Sequence, residues 1–107
     1  MKQFKILRDP TDVPSYGVEL TDAGYRAYLA AGVDTAVAVP AGGRLALISA
    51  SDHFYAGSAA ITLPVLGAGF SAAAAVEHNP QVIVLTGETA LHLISRVSCD
   101  VSVSFWG

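Results

Sequence analysis

The carboxy-terminal segment "VSCDVSVSF", residues 97–105, has the most regular pattern in this sequence. Every odd position is apolar and every even position is polar: Val97, Cys99, Val101, Val103 and Phe105 alternate with Ser98, Asp100, Ser102 and Ser104. A period of two places successive side chains on opposite faces of a β-strand, whereas a helix would spread them around its axis. The segment is therefore predicted to be a strand with one buried face, paired on both sides so that it does not fray.

Weaker strand patterns, separated by turn residues, fill much of the remaining chain. "TAVAVP" (35–40) and "RLALIS" (44–49) flank an Ala-Gly-Gly turn, which predicts a hairpin. "QVIVLT" (81–86) and "ALHLIS" (90–95) predict two further strands on either side of a Gly-Glu turn. Residues 21–32 fit either a strand or a short capped helix, and we favour the strand.

Two shorter segments complete the predicted strands. A short strand is expected at 53–56, and the β-branched segment 60–66 is expected to lie at a sheet edge because it contains Pro64. The total is seven or eight strands with turns every 8 to 12 residues. This pattern predicts an all-β fold, an antiparallel β-sandwich or small jelly roll formed by residues 23–107.

Residues 1–22 differ from the rest of the chain in composition. They hold seven of the fifteen charged residues, together with two prolines. We therefore expect an extended N-terminal arm or loop, either a disordered leader or a segment that becomes ordered when it docks onto a neighbour.

Charge and hydrophobicity restrict the partners. Hydrophobic residues make up 52% of the chain and charged residues 14%, where about a quarter is typical. So few charges cannot cover the surface, so we expect part of it to be buried against partners, in a homodimer or homotrimer. A high content of weakly hydrophobic alanine is the alternative explanation for the apolar composition. The net charge of -3 and the scattered cationic residues predict no binding to nucleic acid.

An uncharged stretch, residues 54–76, is long enough to span a bilayer. Its glycines, its proline and its acidic flanks argue against a membrane segment. We therefore expect no membrane partner.

No pattern in the sequence indicates catalysis. His53, His78 and His92 lack metal-ligand spacing, and no serine lies in a nucleophile elbow. "GAGFSA" (67–72) matches a dinucleotide fingerprint, but Pro64 before it and the short stretch after it favour a glycine-rich loop. We expect no catalytic residue, no cofactor and no metal, and hence no enzyme; a cupin without its usual ligands or a nucleotide binder is the enzymatic alternative.

Two blocks, "VDTAVAVPAGGRLALISASDHFYAG" (33–57) and "HNPQVIVLTGETALHLISRVSCDVSVSFWG" (78–107), resemble small virion proteins of tailed phages. The shared features are a Val-Pro-Ala-Gly run followed by Phe-Tyr, a later Asn-Pro before a strand, and an alternating terminus. Within that group we favour the resemblance to head decoration, or cement, proteins. The resemblance implies a jelly-roll-like protein made in the host cytoplasm, which stabilises the virion as an oligomer on the outer capsid surface, bound to the major capsid protein.

On that interpretation the sandwich forms the oligomer and the arm contacts capsid subunits through Lys5, Arg8 and Tyr16. A second set of contacts is expected at Phe54, Tyr55 and Trp106, with Phe54 alternatively in the core. Trp106 shares the polar face of the last strand and is expected to be either a lone exposed aromatic residue or, as we favour, a contact for a neighbouring subunit. The alternative function is a small ligand- or carbohydrate-binding module of a phage tail or fibre.

Overall fold

The structure, a computed structural model, describes residues 1–8, 10–12, 14–17, 19–64 and 76–107. This part of the chain contains strands and no helix. Ten strands occur in it: β1 (Lys5–Arg8), β2 (Pro14–Gly17), β3 (Ala23–Leu29), β4 (Thr35–Ala38), β5 (Leu45–Ala50), β6 (Tyr55–Gly57), β7 (Glu77–His78), β8 (Val82–Val84), β9 (Ala90–Ile94) and β10 (Cys99–Trp106).

Eight of these strands form two antiparallel sheets. The first sheet has the order β3-β10-β5-β8 and the second has the order β4-β9-β6-β7. Residues from both sheets meet in one hydrophobic core, which includes Leu29, Val103 and Phe105 from the first sheet and Leu91 and Leu93 from the second. The prediction of an all-β sandwich is confirmed.

The alternating C-terminal segment is the central strand of the first sheet. β10 pairs with β3 along Cys99–Phe105 and with β5 along Val101–Trp106. Its odd residues are buried, as predicted, and Cys99 is a buried free thiol. The strand begins at Cys99 rather than Val97, because the Val97 amide donates to the Ser95 hydroxyl in the preceding turn (3.3 Å).

The predicted hairpin of residues 35–40 and 44–49 is wrong. β4 pairs with β9 in the second sheet, whereas β5 pairs with β10 and β8 in the first. The turn itself is present, since the Gly43 amide donates to the Pro40 carbonyl (3.0 Å). The flanking amides then diverge: Val39 donates to Thr89 and Arg44 donates to Trp106. The chain thus crosses between the sheets, which lets both strands bury their apolar faces in one core.

Of the shorter predicted strands, two are confirmed and one is not. Residues 21–32 contain a strand, β3, as favoured, and the strand expected at 53–56 appears as β6. In the segment 60–66 no strand forms over 60–64, and its last two residues lie outside the described residues. The glycine-rich motif at 67–72 also lies outside them.

The extended arm or loop that the composition of residues 1–22 suggests is not confirmed. β1 and β2 pair as an antiparallel ribbon, with Ile6 opposite Tyr16 and Arg8 opposite Pro14. This ribbon joins neither sheet. The molecule measures 50 × 27 × 26 Å with a radius of gyration of 15.4 Å, against about 13 Å for a compact chain of this length.

The described ranges contain no helix that could span a bilayer.

The central position of β10 predicts a contrast between its two faces. Val103 is fully buried, so Val103→Ala should lower the free energy of unfolding by about 2 kcal/mol through lost burial and a cavity. Ser102→Ala, on the exposed face of the same strand, is the matched control and should change it by less than about 0.5 kcal/mol. Urea unfolding measures both variants, and equal effects would contradict the assignment of faces.

Candidate interaction site

The β1–β2 ribbon is attached to the sandwich through backbone bonds at its base. The Phe4 amide donates to the Gly107 carbonyl (3.0 Å), and the Gly107 amide donates to the Lys2 carbonyl (2.7 Å). On the other side of the ribbon, the Thr21 hydroxyl donates to the Phe105 carbonyl (2.7 Å). The chain segments before and after the ribbon are therefore both held by the end of β10.

Glu19 joins the charged groups at this base. Its carboxylate lies 3.2 Å from the Lys5 ammonium and 3.9 Å from the Lys2 ammonium. All three side chains are about half exposed, so solvent screens these ion pairs and each contributes little to stability. Lys5, a predicted capsid contact, is thus already paired within the chain.

Asp22 makes the other polar contact at the base. Its carboxylate accepts a hydrogen bond from the Lys2 backbone amide (2.9 Å). This bond, more than any other contact, holds the pKa of the Asp22 carboxyl below its ordinary value of 3.8. The ionised carboxylate therefore favours the attached position of Lys2.

Trp106 is buried, and the prediction that it is exposed is wrong. The residue does lie on the outer face of the first sheet, in phase with Ser102 and Ser104, yet only 3% of its surface is exposed. Its indole Nε1 donates to the Glu19 carbonyl (3.0 Å). Chain at the base of the ribbon, 87 residues away in sequence, covers the indole, and no local pattern in the sequence indicates this contact.

The six predicted interface residues fall in three places. Lys5, Arg8 and Tyr16 belong to the ribbon. Phe54 is 4% exposed and lies in the core, so it offers little surface to a partner, and the same holds for Trp106 at 3%. Tyr55 is half-buried on β6, where it packs against the His78 ring at 4.9 Å and lies 5.9 Å from the Arg96 guanidinium.

A histidine cluster beside Tyr55 was not apparent from the sequence. The Phe54 amide donates to the Asn79 Oδ1 (2.8 Å), so the Asn79 Nδ2 donates to the His53 Nδ1 at 2.6 Å. The His53 and His78 rings stack at 5.5 Å. The cluster joins the chain before β6 to the chain around β7. His53 and His78 are 25 positions apart, a spacing that no local motif uses.

A groove of about 790 Å³ crosses the outer face of the first sheet. Small polar side chains line much of it, and the apolar residues Leu47, Val82 and Trp106 contribute to its wall. A smaller recess of about 270 Å³ continues toward Arg26 and Asp100. The polar lining consists of Ser49, Ser51, Asp52, His53, Asn79, Gln81, Ser102 and Ser104.

The remaining histidine of the described residues, His92, contacts a carboxylate. The His92 Nδ1 lies 2.9 Å from the Asp34 carboxylate, and both side chains are partly buried. No described serine or cysteine side chain hydrogen-bonds to His92. Across residues 1–64 and 76–107, as far as they are described, no three His, Cys, Asp or Glu side chains cluster as metal ligands.

The Asp22 contact predicts how the base of the ribbon responds to acid. Because the folded-state pKa is lowered, its stabilisation is present above pH 3.8 and is lost as the pH falls through the folded-state value. The chemical shift of the Lys2 amide should therefore titrate in this acid range. Asp22→Asn, whose amide oxygen accepts the same bond without titrating, should abolish the titration; an identical titration in the variant would contradict the assignment.

Comparisons with known proteins give no relative for this chain. No protein-family model, no curated protein and no solved structure matches it.

Proposed function

We propose that this protein is a non-enzymatic virion structural protein that decorates a phage capsid, binding the outer surface of the shell as an oligomer. The observation that carries the proposal is the β1–β2 ribbon, which pairs with neither sheet of its own sandwich. A lone two-stranded hairpin is marginally stable in water. The ribbon therefore gains stability when a second surface covers it, and in this proposal that surface is the major capsid protein.

The arrangement of the ribbon suits such a contact. Its base is fixed to β10 by the bonds to Phe105, Trp106 and Gly107, while Arg8 and Tyr16 lie in the paired part beyond the base. A fixed base limits the entropy lost when the ribbon docks. An oligomer carries several ribbons, so modest contacts add through effective concentration. The resemblance to decoration proteins is the further support for this partner.

A test of the proposal must remove the ribbon without removing its base. We would replace residues 6–16 with a short Gly-Ser turn, because Lys2, Phe4 and Glu19 belong to the sandwich contacts. The urea unfolding midpoint of the sandwich should be retained. Binding to empty phage heads that lack their decoration protein should fall at least tenfold, since the docking contacts are gone.

Tyr55→Ala is the control variant. Tyr55 belongs to the second set of predicted contacts, with Phe54 and Trp106, and it lies on β6 and not on the ribbon. We expect it to bind the heads with little change. Full affinity in the ribbon-deleted protein would overturn the proposal.

The groove supports the second candidate, a ligand- or carbohydrate-binding module of a tail or fibre. Hydroxyl and amide side chains such as Ser49, Ser102 and Gln81 line it, and such groups bind neutral polar ligands through hydrogen bonds. A glycan array discriminates the two functions: glycan binding that Ser102→Phe abolishes, without affinity for heads, would favour this candidate.

A further inference from the structure

The first sheet has a long free edge at β3. Within the described part of the chain this strand pairs with β10 alone. It is seven residues long, whereas the other edge strands, β4, β8 and β7, have four, three and two residues. An unpaired edge presents backbone N–H and C=O groups that can pair with another strand, and proteins usually protect such edges with proline, lysine, bulges or short length. β3 has no proline, no lysine and only one charged residue, Arg26.

Four of the seven β3 residues are exposed, among them two tyrosines. Tyr25 lies on the inner face and contacts Phe105 edge-to-face at 5.8 Å, yet 45% of its surface is exposed. Tyr28 lies on the outer face opposite Asp100 and is 63% exposed. Two exposed tyrosines on an unprotected edge are characteristic of a protein–protein interface.

We propose that β3 pairs with β3 of a second copy of this chain, antiparallel, about a two-fold axis at Ala27. In this register the small Ala27 faces its own symmetry mate. Arg26 faces Tyr28 of the second copy on the outer face, which forms a cation–π pair twice. Tyr25 faces Leu29 of the second copy on the inner face. The edge is thus complementary to itself, as a two-fold interface requires.

Neighbouring registers are less favourable. An axis at Arg26 would pair all seven residues of β3, but it places Arg26 directly opposite Arg26 of the second copy, and like charges at that position are destabilising. An axis at Tyr25 leaves Tyr28 and Leu29 beyond the paired segment. The register centred on Ala27 combines a five-residue ladder with favourable cross-strand pairs.

This pairing joins the two first sheets into one sheet of eight strands. It specifies the oligomer of the proposed function and rests on that proposal for its biological role. The pairing itself is measured without any capsid. A failure to dimerise therefore leaves capsid binding by the ribbon untouched, and a failure to bind heads leaves the dimer untouched.

Charge substitutions at Tyr28 test the register. In the dimer Tyr28→Lys places a lysine opposite Arg26 of the second copy, whereas Tyr28→Glu places an opposite charge there. Within one chain residue 28 faces Asp100, so the lysine is the more favourable of the two for folding. Light scattering at micromolar concentration should give twice the 11.0 kDa chain mass for the wild type and Tyr28→Glu, and the single mass for Tyr28→Lys.

Three light-scattering outcomes would overturn the proposal. A monomeric wild type would show that the edge is not used. A trimer would contradict it because two-fold pairing closes at two copies. Equal dimerisation of Tyr28→Lys and Tyr28→Glu would contradict the register.

A cysteine at the axis provides a second, independent test. Residues directly opposite in an antiparallel pair have Cβ atoms within reach of a disulfide, so Ala27→Cys should give a covalent dimer on mild oxidation. Ala36→Cys, at an exposed position on the edge strand β4, is the matched control and should stay monomeric on a denaturing gel. The wild type, whose Cys99 is buried, is the blank. No cross-link in Ala27→Cys, or equal cross-linking in Ala36→Cys, would overturn the axis.

Discussion

The pairing of β10 on both sides is the interaction on which the rest of the structure depends. Its inner residues, Val101, Val103 and Phe105, supply the centre of the core. Its outer residues Ser102 and Ser104 line the groove. Its end receives the bonds that hold the base of the ribbon. A strand with two ladders is the best protected from fraying, so one well-held element positions the core, the groove and the ribbon together.

Two parts of the described chain that lack a pairing partner in the single molecule, the ribbon and the free edge of β3, both lie next to β10. The ribbon extends from the end of β10, and the free edge of β3 lies directly beside it in the sheet. A dimer through β3 would bring two central strands into one sheet and would carry two ribbons. Such an arrangement is consistent with a protein that binds a repeating lattice, where a few modest contacts repeated over many copies are sufficient.

The sequence predicts the elements of this fold better than their partners. The period of two correctly indicates a strand and its buried face along Cys99–Phe105, because side-chain alternation is a local property. At Val97 the prediction is wrong, since this residue precedes the strand and is 46% exposed. The predicted hairpin of residues 35–40 and 44–49 is wrong because local pattern does not say which strands pair. The strands on either side of the turn pair with distant parts of the chain instead. The Val39 amide donates to the Thr89 carbonyl, and the Arg44 amide donates to the Trp106 carbonyl.

For the candidate surfaces, too, the sequence predicts local properties but not contacts between residues that are distant in sequence. The phase of Trp106 was predicted correctly, but its burial depends on the carbonyl of Glu19, far away in sequence. The composition of residues 1–22 marked a distinct segment without indicating that it pairs as a ribbon. The free edge of β3 becomes visible only once the sheet order is known, because exposure of an edge is a property of topology.

Amide hydrogen exchange, compared between the free protein and the protein bound to empty phage heads, tests the central claim most directly. In the free protein we expect the amides of β10 to be protected and those of β1 and β2 to exchange rapidly. On the heads, β1 and β2 should gain protection while the groove residues of β5 stay unchanged. Unchanged exchange in the ribbon on binding, or new protection confined to the groove, would contradict the account.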